Sequence, residues 1–300
     1  MGKIVFVFAG QGAQAPGMGK GFYESSEAAR AVFDAADHIR PGTSRMCFDG
    51  TEEELQETRN TQPCLFTVEM AIAAALREAG IQADMTAGFS LGELSALTYA
   101  GVMSLEDGLQ AVMKRGELMQ EASLAHETSM AAIIKLSNDE IRTICSEFEH
   151  VYPVNFNCPG QTSVSGDAQE MLVFADRVKD AGGRARFLKV SGAFHSPYMK
   201  TAAEGFGAVL DGITLSEPSV PVYSNCTANP YTKEIRDTLV SQIDHPVQWE
   251  VIIRNMIAEG ADTFVEIGPG KTLTGLIKRI NGDVKLYNVA VPEDLEALVR

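Results

Sequence analysis

Apolar and polar positions alternate along this chain with two different periods. Lys3 to Phe8 is rich in β-branched and aromatic residues and reads as a central strand. Glu24 to Ile39 reads as a helix, and Thr51 to Arg59 as a short charged one. In Gln62 to Ala79, Leu65, Val68, Ile72, Ala75 and Leu76 form one apolar stripe, which predicts a longer helix closed by Gly80. Ile81 to Thr86 could enter a buried strand, and Leu91 to Ala100 is a helix-forming run. Ser104 opens the next helix, with Asp107 at the capping-box position.

From about Ala125 the texture changes. Met130 to Leu136 predicts a strand, and Asn138 to Phe148 a helix capped by Ser137 with Glu140 at its third position. Val151 to Asn155 and Gln161 to Ser165 read as strands around the turn Asn157-Cys158-Pro159-Gly160. Ala168 to Ala181 reads as a helix closed by Gly182-Gly183, and Ala185 to Val190 as a last strand. The order β-α-β-β-α-β is the ferredoxin-like unit. The expectation is therefore an α/β protein in which residues 126–190 form a small ferredoxin-like subdomain. It is inserted into a larger α/β body made of residues 1–125 and 191–300. Beyond the insertion, Pro197 to Val209, Glu234 to Ile243 and a segment starting at Pro246-Val247-Gln248-Trp249 predict helices. Pro221 to Ser224 and Thr263 to Ile267 predict strands, and Leu273 to Ile280 a further helix.

A chain of 300 residues can bury a large core. Hydrophobic residues at 45% and charged residues at 22% fit an ordinary globular enzyme. The net charge of −15 argues against nucleic acid or an anionic membrane as the main partner. Met1-Gly2-Lys3 runs straight into a strand-like segment, no apolar run approaches a membrane span, and a cytoplasmic location is expected. The cysteines Cys47, Cys64, Cys145, Cys158 and Cys226 are odd in number and scattered, which suits reduced thiols better than disulfides or a metal site.

The stretch Gly88-Phe89-Ser90-Leu91-Gly92 reads Gly-x-Ser-x-Gly, the strand-to-helix elbow that lifts a serine hydroxyl out of the backbone. Unpaired N–H groups at the helix start would favour the negative charge that acyl transfer generates. The plainer alternative is a tight turn whose serine caps the helix. Gly10 to Ala15 fits the dinucleotide pattern G-x-G-x-x-A, but Pro16, Gly17 and Gly19 prolong the loop where that motif needs a helix. Gly268-Pro269-Gly270-Lys271-Thr272 imitates the end of a phosphate loop, yet Val265 stands where the first glycine is required. Both nucleotide readings are set aside.

Arg115 shares a helical face with Ala111, Val112, Leu118 and Met119. A guanidinium there either grips a substrate carboxylate, snorkels to solvent, or pairs with Glu106 or Glu93. His195 sits in the loop Ser191 to Pro197 between the two predicted subdomains, where a catalytic group or a helix cap is expected.

Together these residues resemble the malonyl-CoA:acyl-carrier-protein transacylase family and the related acyltransferase domains of polyketide synthases. The likeness runs along nearly the whole chain. It rests on GQGAQ at Gly10 to Gln14, GxSLGE at Gly88 to Glu93, K-R-G-x-x-M at Lys114 to Met119, FHS at Phe194 to Ser196, PVQW at Pro246 to Trp249 and E-x-G-P-G at Glu266 to Gly270. The resemblance implies a hydrolase-like body with a parallel central sheet and a Ser90–His195 dyad. It also implies an oxyanion hole from the Gln11 and Leu91 N–H groups, with Arg115 on the malonyl carboxylate. The histidine would be oriented by a backbone carbonyl at the Gln248 position, with no acidic third member and no cofactor. The family elbow usually reads GHSLGE, so Phe89 is a departure that bears on cleft shape or acyl preference. Phe194 matches the aromatic of malonyl-selective members.

The partners implied are malonyl-CoA and an acyl carrier protein, with the enzyme a monomer. Lys189, Lys200 and Lys271 are candidate docking points for an acidic carrier. Fatty-acid synthesis and polyketide synthesis both fit. A serine hydrolase or thioesterase shares Gly-x-Ser-x-Gly, but that fold places its histidine late and needs an acid before it.

Overall fold

A computed structural model describes residues 2–190 and 192–299. Met1, Arg300 and Ser191, the last being the first residue predicted to follow the insertion, lie outside the described residues. The strands are β1 (Lys3–Phe8), β2 (Met85–Gly88), β3 (Thr128–Ile134), β4 (Val151–Cys158), β5 (Gln161–Asp167), β6 (Arg184–Phe187), β7 (Val222–Tyr223), β8 (Ala261–Ile267) and β9 (Lys285–Val289).

β1 is the middle of a sheet ordered β7-β2-β1-β8-β9, in which every pairing is parallel. Parallel strands persist when helices cover both faces, and the alternation of β1 matches that demand. Phe6 and Phe8 pack with Phe66, Leu94 and Leu97 on one side. Val5 and Val7 pack with Trp249, Ile252 and Phe264 on the other.

The second sheet has the order β4-β5-β3-β6, with every pairing antiparallel, and its four strands all fall within residues 128–187. This is the ferredoxin-like arrangement. Helices Asn138–Cys145 and Ala168–Asp180 bury Ile141, Met171, Phe174 and Val178 against one face, where Ala131, Ile133 and Val164 also point. Its edge strand β4 is tied to the rest of the chain through Val247. The Phe156 N–H donates to the Val247 carbonyl at 2.9 Å, and the Val247 N–H donates to the Val154 carbonyl at 2.9 Å.

Several elements differ from the sequence expectation. The helix expected over Glu24 to Ile39 is two, Lys20–Ser25 and Glu27–Ile39, because Ser26 is extended and its hydroxyl caps Ala29 N–H. Helix Thr58–Glu78 starts four residues before Gln62 and carries Pro63 in its first turns. β2 begins at Met85, later than predicted, because Ile81 to Asp84 only leads up to it. Helix Thr43–Asp49 and edge strand β9 were not predicted. Among the described residues no helix is long and apolar enough to cross a membrane.

Candidate active site

The elbow is forced by crowding. β2 ends at Gly88 and helix Gly92–Tyr99 begins four residues later. A Cβ on Gly88 would run into the Gly92 backbone, and one on Gly92 into the Phe8 and Ala9 carbonyls. Ser90 between them has φ 54, a left-handed conformation that non-glycine residues adopt rarely. Asn225, just past β7, holds that conformation. Its Oδ1 accepts from Ser90 N–H at 2.7 Å and its Nδ2 donates to the Gly88 carbonyl at 2.7 Å.

The Ser90 hydroxyl does not cap the following helix. Its Oγ lies 2.7 Å from Nε2 of His195. His195 also has positive φ, 61, and is 3% exposed. Its Nδ1 lies 2.9 Å from the main-chain carbonyl of Gln242. A carbonyl can only accept, so Nδ1 carries the proton and Nε2 is left to accept from Ser90. Ser196, rather than His195, caps the next turn, accepting from Tyr198 N–H at 3.3 Å. Burial, followed by the positive field of Arg115, lowers the His195 pKa to about 4, so the ring is neutral at pH 7.

The orienting carbonyl corrects one expectation. It belongs to Gln242 and not to Gln248. Gln242 is the C-cap of helix Ile235–Ser241, where carbonyls are left without intrahelical partners. The Gln248 N–H instead donates to Asn225 O at 2.8 Å, at the start of helix Trp249–Ala258.

Arg115 is 1% exposed and points into the same space. Its Nη1 donates to Gln62 Oε1 at 2.8 Å, and its Nη2 to Gln242 Oε1 at 2.8 Å and Ser90 Oγ at 3.2 Å. Neither Glu106 nor Glu93 forms an ion pair with it. Both glutamines are neutral, so they fix the guanidinium without cancelling its charge. Burial lowers the Arg115 pKa to about 10, opposed by the nearby Glu93. Glu93 accepts from Tyr231 OH at 2.6 Å and Asn225 N–H at 3.0 Å, and burial raises its pKa to about 7. A buried cation whose acidic neighbour is itself pushed by burial toward the neutral form is a cation short of an anion.

Ser90, His195, Arg115, Gln11 and Phe194 line one cavity of about 110 Å³. The Gln11 and Leu91 N–H groups donate to no turn or loop carbonyl among the described residues, and the elbow places Leu91 directly after Ser90. Gln11 also lines an adjoining cavity of about 220 Å³, together with Phe89, Asn155 and Leu188. Phe89 stands at the junction, its ring edge-on to Trp249 at 5.4 Å. The three candidate lysines do not line either cavity.

The sequence reading missed Gln62, Gln242 and Asn225. Gln62 is the one with a readable signal, a polar residue opening an apolar helical stripe. The others are brought in by tertiary structure from up to 152 positions away.

The acyl transferase domain family matches residues 5–290 of this chain. The malonyl CoA-acyl carrier protein transacylase of Bacillus subtilis is 42% identical over 308 residues, covering 100% of this chain and 97% of that protein. This chain belongs to the malonyl-CoA:acyl-carrier-protein transacylase family. The family fold is shared at high precision: the malonyl CoA-acyl carrier protein transacylase of Clostridium perfringens has a TM-score of 0.96 at 37% identity, covering 99% of this chain and 96% of that one. A malonyl-transacylase solved in complex with a type II polyketide acyl-carrier protein matches with a TM-score of 0.95 at 35% identity, covering 99% of each chain. As a member of this family the protein is an acyltransferase, and its α/β body with a ferredoxin-like insertion is the family architecture.

Proposed function

We propose that this enzyme moves a malonyl group from malonyl-CoA to the phosphopantetheine thiol of an acyl carrier protein through a malonyl ester on Ser90. The observation that carries the reading is the shared cavity in which the Ser90 hydroxyl meets both the His195 ring and the Arg115 guanidinium, which has no ion-pair partner among the described residues. A nucleophile with a base is common to many acyl transfers. A buried cation beside it selects an acyl group that ends in a carboxylate.

In the first half-reaction Ser90 Oγ–H passes its proton to His195 Nε2 as Oγ attacks the thioester carbonyl. The Gln11 and Leu91 N–H groups hold the tetrahedral oxyanion, each such donor being worth about 3 to 4 kcal/mol in comparable sites. The intermediate collapses, the C–S bond breaks, and the CoA sulfur leaves with the proton from Nε2. In the second half the carrier thiol gives its proton to Nε2, its sulfur attacks the ester, and Oγ leaves with that proton. Arg115 holds the distal carboxylate throughout, in place of its contact to Ser90 Oγ. Phe194 and Phe89 shape the acyl pocket, and the bulk of Phe194 favours malonyl over α-branched groups. The chain supplies every one of these groups itself, which supports a monomeric enzyme. The division into a body of residues 1–125 and 191–300 and an insertion of residues 126–190 belongs to the same reading, with the cleft between them as the site.

Intact-mass spectra after mixing with malonyl-CoA test the mechanism. The wild-type chain should gain one malonyl group and Ser90→Ala none. An adduct on Ser90→Ala, or a wild-type chain that only hydrolyses neutral esters, would overturn it in favour of another nucleophile or a hydrolase.

A further inference from the structure

Thr58, Gln62 and Glu69 leave helix Thr58–Glu78 on one side: at 3.6 residues per turn the three positions fall within about 40° of one another. All three are buried. A polar side chain on a buried face is costly unless it finds a partner, and the partner of each lies on a segment that carries a group of the site. Gln62 accepts from Arg115. Thr58 Oγ1 accepts from Gln11 Nε2 at 3.2 Å. Glu69 Oε2 accepts from the Ser95 hydroxyl at 2.5 Å, and Ser95 sits one turn past Leu91 on the helix that leaves the elbow. The other oxygen of Glu69, Oε1, has no hydrogen-bond partner among the described residues. It abuts Gly268, where a Cβ would come within 3.5 Å of it and 3.0 Å of the Ala9 side chain. Burial, with the nearby Glu266 adding to it, pushes the Glu69 pKa well above the usual carboxylate range, toward the neutral acid.

We infer that Thr58 and Glu69 are positioning residues that set the separation of the two oxyanion donors. The inference deepens the transfer reaction proposed above and rests on it. The donors, the Gln11 and Leu91 N–H groups, come from separate segments: a loop after β1 and the start of helix Gly92–Tyr99. Each serves the oxyanion only from about 2.7 to 3.1 Å, so their spacing must be held closely. The loop cannot hold it alone, because Gln11 stands between Gly10 and Gly12, and glycine leaves a backbone loose. One helix grips both segments with the same face. Thr58 takes the loop by the side chain of Gln11, and Glu69 takes the elbow helix by Ser95. Neither residue lines the catalytic cavity, so both act through the residues they hold.

Single-turnover acylation of the full-length enzyme, by malonyl-CoA and by acetyl-CoA, tests this when rates are expressed per acylatable Ser90. Thr58→Val and Glu69→Met keep the volume and remove the grip. Each should slow acylation at saturation by about tenfold, the scale of one buried hydrogen bond, and leave the half-saturating concentration unchanged. The loss should be equal for the two acyl groups, because every thioester forms the oxyanion whereas only malonyl meets Arg115. Glu69→Gln, the match for the neutral acid, should recover most of the rate. Ser95→Ala should equal Glu69→Met, and the two together should be no worse than either; Ser95→Ala carries the test if Glu69→Met does not fold. Full rates in the single variants would overturn the inference. So would a loss confined to malonyl, which would assign the effect to Gln62 and Arg115, or a fall only in the fraction of acylatable Ser90, which would make the two residues merely structural. A wild-type enzyme that gains no malonyl group would overturn the underlying reaction instead, so the two failures are told apart.

Discussion

Gln242 grips the dyad with both ends: its main-chain carbonyl accepts from His195 Nδ1 at 2.9 Å, and its side-chain nitrogen donates to the Ser90 carbonyl at 2.6 Å. The same side chain accepts from Arg115 at 2.8 Å. Gln242→Ala keeps the carbonyl and therefore the histidine tautomer. It strands the Arg115 Nη2 donor and releases the elbow, so kcat/KM for malonyl-CoA should fall by about 1 to 3 kcal/mol. Gln242→Glu should do more, because it gives Arg115 a carboxylate of its own and the malonyl group must compete with it. A steady-state comparison of the two variants checks the order, and a Gln242→Glu enzyme as active as wild type would contradict it.

Arg115→Ala should cost malonyl transfer about 2 to 5 kcal/mol and acetyl transfer much less. It should also move the pH profile. His195 acts as a base only when neutral, that is, above its pKa. Burial and Arg115 hold that pKa down at about 4, so acetyl-CoA turnover should stay level on acidification until the pH falls through about 4. Removing the guanidinium removes one of the two lowering causes, and the acid limb should shift to higher pH. A bound malonyl carboxylate, by cancelling the same charge, should shift it in the same direction. Single-turnover acylation rates from about one unit below the His195 pKa of about 4 upward to neutral pH read all three profiles.

Glu93 makes stability depend on pH in the opposite sense from most carboxylates. Its folded pKa is raised from 4.5 to about 7. Its favourable contribution is therefore complete below pH 4.5 and is lost as the pH rises through about 7. The shift corresponds to about 3 kcal/mol. Glu93→Gln mimics the protonated acid and carries no such dependence. Urea unfolding of the two proteins from pH 4.5 to 8 should show the variant gaining on wild type by about that amount, and parallel curves would refute the coupling.

Phe194 is 7% exposed and lines the catalytic cavity beside His195. Phe194→Ala should admit the α-methyl of methylmalonyl-CoA and raise its kcat/KM relative to malonyl-CoA by about 10- to 200-fold, the usual range for one methyl group in a tight pocket. Competition between the two thioesters reads the ratio directly.

What the sequence disclosed follows how local each feature is. The elbow, the ferredoxin-like order and the place of Arg115 on an apolar helical face are written in spacings of a few residues, and they could be read. Strand β9 has a half-exposed edge pattern with no clean alternation, so it escaped notice. Gln242 and Gln248 differ in nothing that the chain alone displays, since the decisive group is a main-chain carbonyl. Only the end of helix Ile235–Ser241 lying against His195 picks out the first. Asn225 is likewise an ordinary loop residue until the fold sets it under Ser90.

Both reacting residues, Ser90 and His195, are held with left-handed backbones, at φ 54 and 61. Each such posture is uphill by about 1 to 2 kcal/mol for a residue bearing a side chain. Glycine would sit there in comfort. Only Lys135 and Ala228 share that posture among the described non-glycine residues, so both positions most needed for turnover are among the few where the chain holds a side chain against its own backbone preference.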